Sequence, residues 1–415
     1  MNRVHNIFLR PVTPIYFGRP GALPAGEAHV GMSWFPPPIS AFQGMIRTKL
    51  LQQAGVFSPK RKVEDLIGTT DGLPKGWSLK GPFPAQYREN RRLQIWFPAP
   101  SFLFPPLQED ALEPVIASPM TEDMELQLLM DKGTSIDKKD RLMISGAPGQ
   151  AGTKPLDGWI SSRNLYWAVC GSKGNVSWEP EGCSRGLPPF VKWETRPGLE
   201  REKEKKKGQA GVKITGRAKE GMLYFLNCLR FSHSSVLVGW LEAALSPPLS
   251  PEALERGPIL AGKKGGVAAF EQSEGTDRWW KLLGAGEHLV ECVIPDPSLV
   301  WIILLSPGRW RSLKELKEML SFEGKVEVYV RSILSKAPVF LGGFSMVERC
   351  PRPALSWYPP GTSILIELRG KTEKDMRKYL MELNNTSILA DQQYRPFGYG
   401  HALVTSPINS GGNDG

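Results

Sequence analysis

From Ser298 to Val404 the chain alternates between runs of two different periods, and that alternation restricts the fold more than any other feature. SLVWIILLSPG is an apolar, β-branched run of strand length. SLKELKEML places its apolar residues at helical spacing behind Ser312, a good N-cap, and KVEVYVRSIL reads as strand again. The pattern then recurs. TSILIELRG is a strand, and TEKDMRKYLMELNN is a helix with Thr372 at its cap and Met376, Tyr379, Leu380 and Leu383 on one face. QYRPFGYGHALV is a glycine loop running into a final strand. Strand, helix, strand with short connections builds a ferredoxin-like half. EHLVECVIP, just upstream, is expected to add another strand.

A chain of 415 residues exceeds one ordinary hydrophobic core, which predicts two domains or one elaborated pair of similar halves. Its 37 prolines and 43 glycines favour short strands with insertions over a helical bundle. RVHNIFLRPV opens as a strand, WSLKGPFPAQ follows as another, and WISSRNLYWAVCG is a short helix with Ser161 or Ser162 near its cap. Residues 105–155 show no sustained period and read as insertion, and SPPLSPEALERGP marks a boundary near Ser246. The stretch YRENRRLQIWFPAPSFLF mixes arginines with aromatics, either a hairpin whose rings are core or a clamp for RNA.

One stretch concentrates the functional signals. YFGRPGALPAGEAHVGMSWFPPPISAFQGMIRTKLL joins the first strand to the first good helix through a long loop. Ile39, Phe42, Met45, Ile46 and Leu50 form a helical stripe, which places Gln43, Arg47 and Lys49 on the surface. In the loop, Arg19 and His29 lie among glycines, so a cation and a titratable group accompany close backbone approach ahead of a helix N-terminus, a setting that attracts anions. Farther on, Lys263, Lys264, Gly265 and Gly266 put exposed amides beside two cations, which suits a phosphate, although GKKGG lacks Walker spacing. Between them, residues 199–221 carry a lysine-rich run expected as a protruding hairpin or loop. With 52 basic and 42 acidic residues, the net charge of +10 is consistent with a polyanion partner.

Other chemistries have less footing. The five cysteines are scattered with no CxxC pair, arguing against a disulfide framework or a thiolate zinc site. Adjacent carboxylates such as Glu64 and Asp65 point in different directions on regular structure, so no metal site is expected. His5, His29, His233, His288 and His401 are isolated in sequence, and a histidine-dependent nuclease therefore rests on His29 alone. No long apolar run and no signal-peptide core are present, which gives a cytoplasmic expectation.

Seven segments in order also carry a family likeness: FGRPGALPAG to FPPPISAFQGMIRTKLL, KGPFP to WFPAPSFLF, ETRPGLE with EGMLYFLNCLRF, AGKKGGVAAFE, VWIILLSPGRW, FLGGFSMVERCPRPALSWYPPGTSILIEL and FGYGHALV. Together they resemble the third-named RAMP subunit of type III-B CRISPR (Cmr) effector complexes. The resemblance implies an α+β fold of two ferredoxin-like, RRM-related halves with loop and hairpin insertions. It divides the chain at 1–246, with insertions at about 105–155 and the basic arm 199–221, then 247–405 and a tail 406–415. It implies no catalysis and no cofactor, with a metal-independent RAMP endoribonuclease as the alternative. The implied partners are the repeat-derived 5′ tag of the CRISPR RNA, the large palm-domain subunit and a backbone RAMP subunit, with no homo-oligomer. By position, Arg19, His29, Arg47, Lys263, Lys264, Gly265 and Gly266 become the expected tag contacts. One departure stands out: Val267 follows the paired glycines where the family has an acidic and then a basic residue.

Overall fold

A computed structural model describes residues 3–19, 30–55, 64–69, 72–89, 92–106, 113–119, 145–146, 153–170, 176–205, 212–245, 249, 256–263, 265–274, 287–290, 292–321, 326–345 and 350–407. The first part of the chain contributes β1 (Arg3–Pro11), β2 (Val30–Met32), α1 (Ile39–Gln53), β3 (Ser78–Tyr87), β4 (Leu93–Pro98), β5 (Trp159–Ser161) and α2 (Ser162–Cys170). It continues with β6 (Cys183–Ser184), β7 (Val191–Lys205), β8 (Val212–Phe231), β9 (Ser235–Ala243), β10 (Gly257–Leu260) and β11 (Val267–Glu274). The remainder supplies β12 (Ser298–Leu304), α3 (Leu313–Leu320), β13 (Val326–Leu334), β14 (Val339–Ser345), β15 (Cys350–Trp357), β16 (Ser363–Gly370), α4 (Glu373–Leu383) and β17 (Ala402–Val404). The fold is α+β and rich in sheet.

Two sheets organise it. Eight strands run in the order β6-β5-β4-β3-β9-β1-β11-β10, and four in the order β13-β16-β12-β17. Within the larger sheet, β3-β9-β1-β11 repeats the sequence of positions seen in the smaller one, and every neighbouring pair in both sets is antiparallel.

Strict alternation along β12 explains how the sheets stack. Val300, Ile302 and Leu304 join Leu316, Leu320, Met376, Tyr379 and Leu380 beneath α3 and α4. Trp301, Ile303 and Leu305 point the other way, into one cluster with Phe83, Phe97, Val236, Val238 and Trp240 of the larger sheet. Phe102 stacks on Trp301 with ring centroids 5.3 Å apart. A strand apolar on both faces must be covered twice, so VWIILL lies between helices and a second sheet. On the far face of the larger sheet, Phe42, Met45, Ile46 and Leu50 of α1 pack with Ile7, Leu9, Leu237, Leu241 and Phe270. The layers therefore run helix, sheet, sheet, helices.

A bulge in β3 lets one strand serve both cores. Val238 pairs with Phe83 but Trp240 with Lys80, leaving one extra residue at Gly81–Pro82. Leu79 consequently faces α1 while Phe83 faces the smaller sheet, which a regular period of two would forbid. Gly81 has φ +98°, and a Cβ there would lie 2.7 Å from the Val238 carbonyl oxygen.

Two expectations change, and one open alternative is resolved. Among the described residues EHLVECVIP forms no strand: Glu287–Val290 is a helical turn, and Arg377 donates to the carbonyls of Leu289, Val290 and Cys292. Both neighbours of β12 are already β16 and β17, so the turn is capped instead of paired. Gln43 and Lys49 are buried, since α1 is covered on more than one stripe and the Lys49 amine lies 5.6 Å from the Phe270 ring centroid. Trp96 and Phe97 are core, which resolves the arginine–aromatic stretch toward packing. Ser161 caps α2, accepting from the Asn164 amide at 3.2 Å. The boundary at Ser246 and most of 105–155 lie outside the described residues.

Candidate nucleic-acid interface

Ile15 to Arg19 is a connector with partners on both sides. Ile15 exchanges backbone hydrogen bonds with Leu229 of β8 at 3.0 and 2.8 Å. The Lys263 amide donates to the Tyr16 carbonyl at 2.8 Å, the Arg19 amide to the Met32 carbonyl at 3.3 Å, and the Trp34 amide to the Phe17 carbonyl at 2.7 Å. Ser33 Oγ accepts from the Phe17 amide at 2.9 Å. β2 adds in parallel to β8, with Val30 beside Phe225 and Met32 beside Asn227. The two ends of the opening loop, the root of the basic arm and the glycine turn are thus laced together.

The arm is a β-hairpin. Its ladder runs from Val191 opposite Phe231 to Lys205 opposite Val212, with irregularities between Leu199 and Lys203. At its root Glu194 bridges Arg196 and Arg230 at 2.7 and 2.5 Å, and these arginines hold its carboxyl below the usual range. Such exposed pairs contribute little stability, of order 0–1 kcal/mol, but they fix the orientation of two cations.

Arg19 is exposed, with its guanidinium carbon 5.2 Å from the Trp34 ring centroid. A guanidinium in such a cation–π contact can still donate to an anion through its N–H groups. Lys263 is exposed in the turn between β10 and β11, where Gly262 and Gly265 have φ of +75° and +77°. Gly266 closes that turn. Its carbonyl accepts from the Ala261 amide at 2.8 Å, and a Cβ on it would lie 2.2 Å from the Ala261 oxygen. Lys263 is tied to Tyr16, three residues before Arg19, so the two exposed cations lie on segments that meet at Tyr16, with Gly265 exposed and Gly266 buried in the same turn.

Arg47 has other partners. Its guanidinium donates to the carbonyls of Ile67 and Thr69 and to Gln43 Oε1, so it pins residues 67–69 to α1. Burial, with Arg352 nearby, lowers its pKa. His29 and Lys264 lie outside the described residues. The described histidines stand on separate elements: His5 on β1, His233 before β9, His288 in the 287–290 turn and His401 at β17. His288 Nε2 lies 2.9 Å from the Val404 carbonyl, and burial lowers its pKa. Among the described residues no three His, Cys, Asp or Glu side chains gather as a metal site, and no helix is long and apolar enough to cross a membrane. Sequence reasoning missed Trp34, whose place beside three prolines was the available signal, and the Thr195–Asn227 pair, whose long-range register no local pattern reveals.

The molecule is thus a layered α+β protein in which the segments carrying the exposed Arg19 and Lys263 are tied to the root of a basic hairpin. Residues 7–407 match the family model described as CRISPR-associated protein (Cas_Cmr3), and the chain belongs to that family. No curated protein matches it. Among solved structures it is similar to a chain of the type III-B Cmr-beta complex bound to cognate target RNA and AMPPnP, with 14% identity, 95% of this chain and 94% of that chain covered, and a TM-score of 0.45. A chain of the same complex bound to cognate target RNA gives 12% identity, 96% coverage of each chain and a TM-score of 0.45.

Proposed function

We propose that this chain is the non-catalytic, RNA-holding subunit of a type III-B Cmr effector complex in the cytoplasm. It binds the repeat-derived 5′ tag of the CRISPR RNA and docks on the large palm-domain subunit and a backbone RAMP subunit. Family membership supports the complex, and the convergence of the opening loop, arm root and glycine turn carries the RNA reading. Arg19 and Lys263 supply charge to phosphates, and the glycine turn lets a backbone approach closely. The shared order of β3-β9-β1-β11 and β13-β16-β12-β17 supports reading each set as a ferredoxin-like half.

Reversing both charges, Arg19→Glu with Lys263→Glu, is expected to weaken binding of tag RNA several-fold or more in a mobility-shift titration at fixed salt. Unchanged affinity would refute the placement of the site. The non-catalytic role has its own check. Repeat RNA incubated with the chain is expected to stay intact, whereas specific cleavage abolished by His29→Ala would make the protein a nuclease.

A further inference from the structure

The hairpin arm has two unlike faces at its root. Residues paired across an antiparallel ladder share a face, so Val191–Phe231, Trp193–Leu229, Thr195–Asn227 and Pro197–Phe225 form one row. Val191, Leu229 and Phe231 are buried in the core beneath α1, where the row begins. Farther out the cover ends: Trp193 is 40% exposed, and β2 extends the same surface with Val30, 51% exposed. At its centre Thr195 Oγ1 donates to Asn227 Oδ1 at 2.7 Å, and Asn227 Nδ2 donates to Met32 Sδ at 3.1 Å. The amide is therefore held in one orientation, with one N–H and one lone pair still to offer. The opposite face carries Lys192, Arg196 and Arg230.

We propose that this face is a base-stacking subsite, in which Trp193 carries one unpaired nucleotide of single-stranded RNA and Asn227 meets that base's edge. The proposal rests on the RNA-holding function above and deepens it. RNA is favoured over a protein partner on three observations. The indole stands beside a fixed polar pair instead of in a continuous apolar patch, as in sheet surfaces that stack splayed bases. β2, which borders the face, receives the Arg19 amide on Met32, so the face adjoins the cationic region. The arm beyond it, residues 199–221, carries eight basic and four acidic residues, matching a polyanion.

The test uses the full chain, a tag-containing single-stranded RNA and the variants Trp193→Ala, Trp193→Phe and Arg19→Ala. Base–aromatic stacking predicts a loss of at least about fivefold for Trp193→Ala. Trp193→Phe should restore most of that loss. The salt slope should stay unchanged for Trp193→Ala but shrink by about 0.7 for Arg19→Ala, since only the latter removes a phosphate contact. On the unmodified chain, RNA carrying 4-thiouridine should crosslink within the Val191–Gly198 peptide. Wild-type affinity for Trp193→Ala, alongside weakened Arg19→Ala, overturns the subsite and leaves the RNA-holding function standing. Wild-type affinity for both overturns that function as well. A Trp193→Ala chain that keeps RNA but loses the large subunit would make the face a protein interface and overturn the proposal.

Discussion

The ammonium of Lys80 donates to the carbonyl and side-chain oxygens of Asn385 at 2.9 and 2.8 Å, and His401 Nε2 lies 2.6 Å from the same side-chain oxygen. Burial lowers the Lys80 pKa to about 8 from 10.5, against a smaller opposing pull from Glu242, and burial likewise keeps His401 neutral. An amine whose folded pKa lies below its unfolded one holds fewer protons when folded, so stability rises with pH between about 8 and 10.5. Urea unfolding of wild type and Lys80→Met at both ends of that window should show the wild type gaining relative to the variant as pH rises; a constant difference would contradict the assignment. None of this was legible beforehand, because Lys80 and Asn385 are far apart in sequence. Arg19 and Lys263 were legible as cations beside glycines, and both are exposed on segments that meet at Tyr16. Arg47 was expected as a surface cation of the helix behind the loop, yet its donors go to carbonyls that only tertiary contact delivers.

The helix caps behave as local sequence says they should. Ser312 accepts from the Glu315 amide at 3.2 Å and Thr372 from the Asp375 amide at 3.1 Å, so the start of α3 and of α4 could be read directly. Ser312→Ala should destabilise the protein by about 1 kcal/mol in chemical denaturation. The glycine hairpin is less forgiving. Gly266→Ala drives a Cβ into the Ala261 carbonyl and should open the turn that presents Lys263, weakening RNA binding together with local hydrogen-exchange protection at Ala261. Unaltered exchange would show that the turn tolerates a side chain. The failure at EHLVECVIP has a plain cause, since a short apolar run does not declare its period and Arg377, far along the chain, decides it.

Across the whole molecule, one core cluster runs through both sheets, with Trp301, Ile303 and Leu403 meeting Phe83, Val238 and Trp240. Trp301→Ala should therefore cost about 3–5 kcal/mol and lower the melting of both sheets in a single calorimetric transition. Two separate transitions would mean that the halves fold independently. The later half was legible as strands and helices because its connections are short. How the sheets stack was not, since VWIILL announces burial on both faces without naming what covers each. Whether the chain holds the CRISPR RNA tag, as proposed, is decided by mobility shift of tag RNA against the same RNA with the tag scrambled, titrated with the chain alone and with the large subunit of a Cmr complex at fixed salt. Preference for the native tag without cleavage is the expected result, and equal, salt-sensitive binding to both RNAs even with the large subunit present would contradict the proposal.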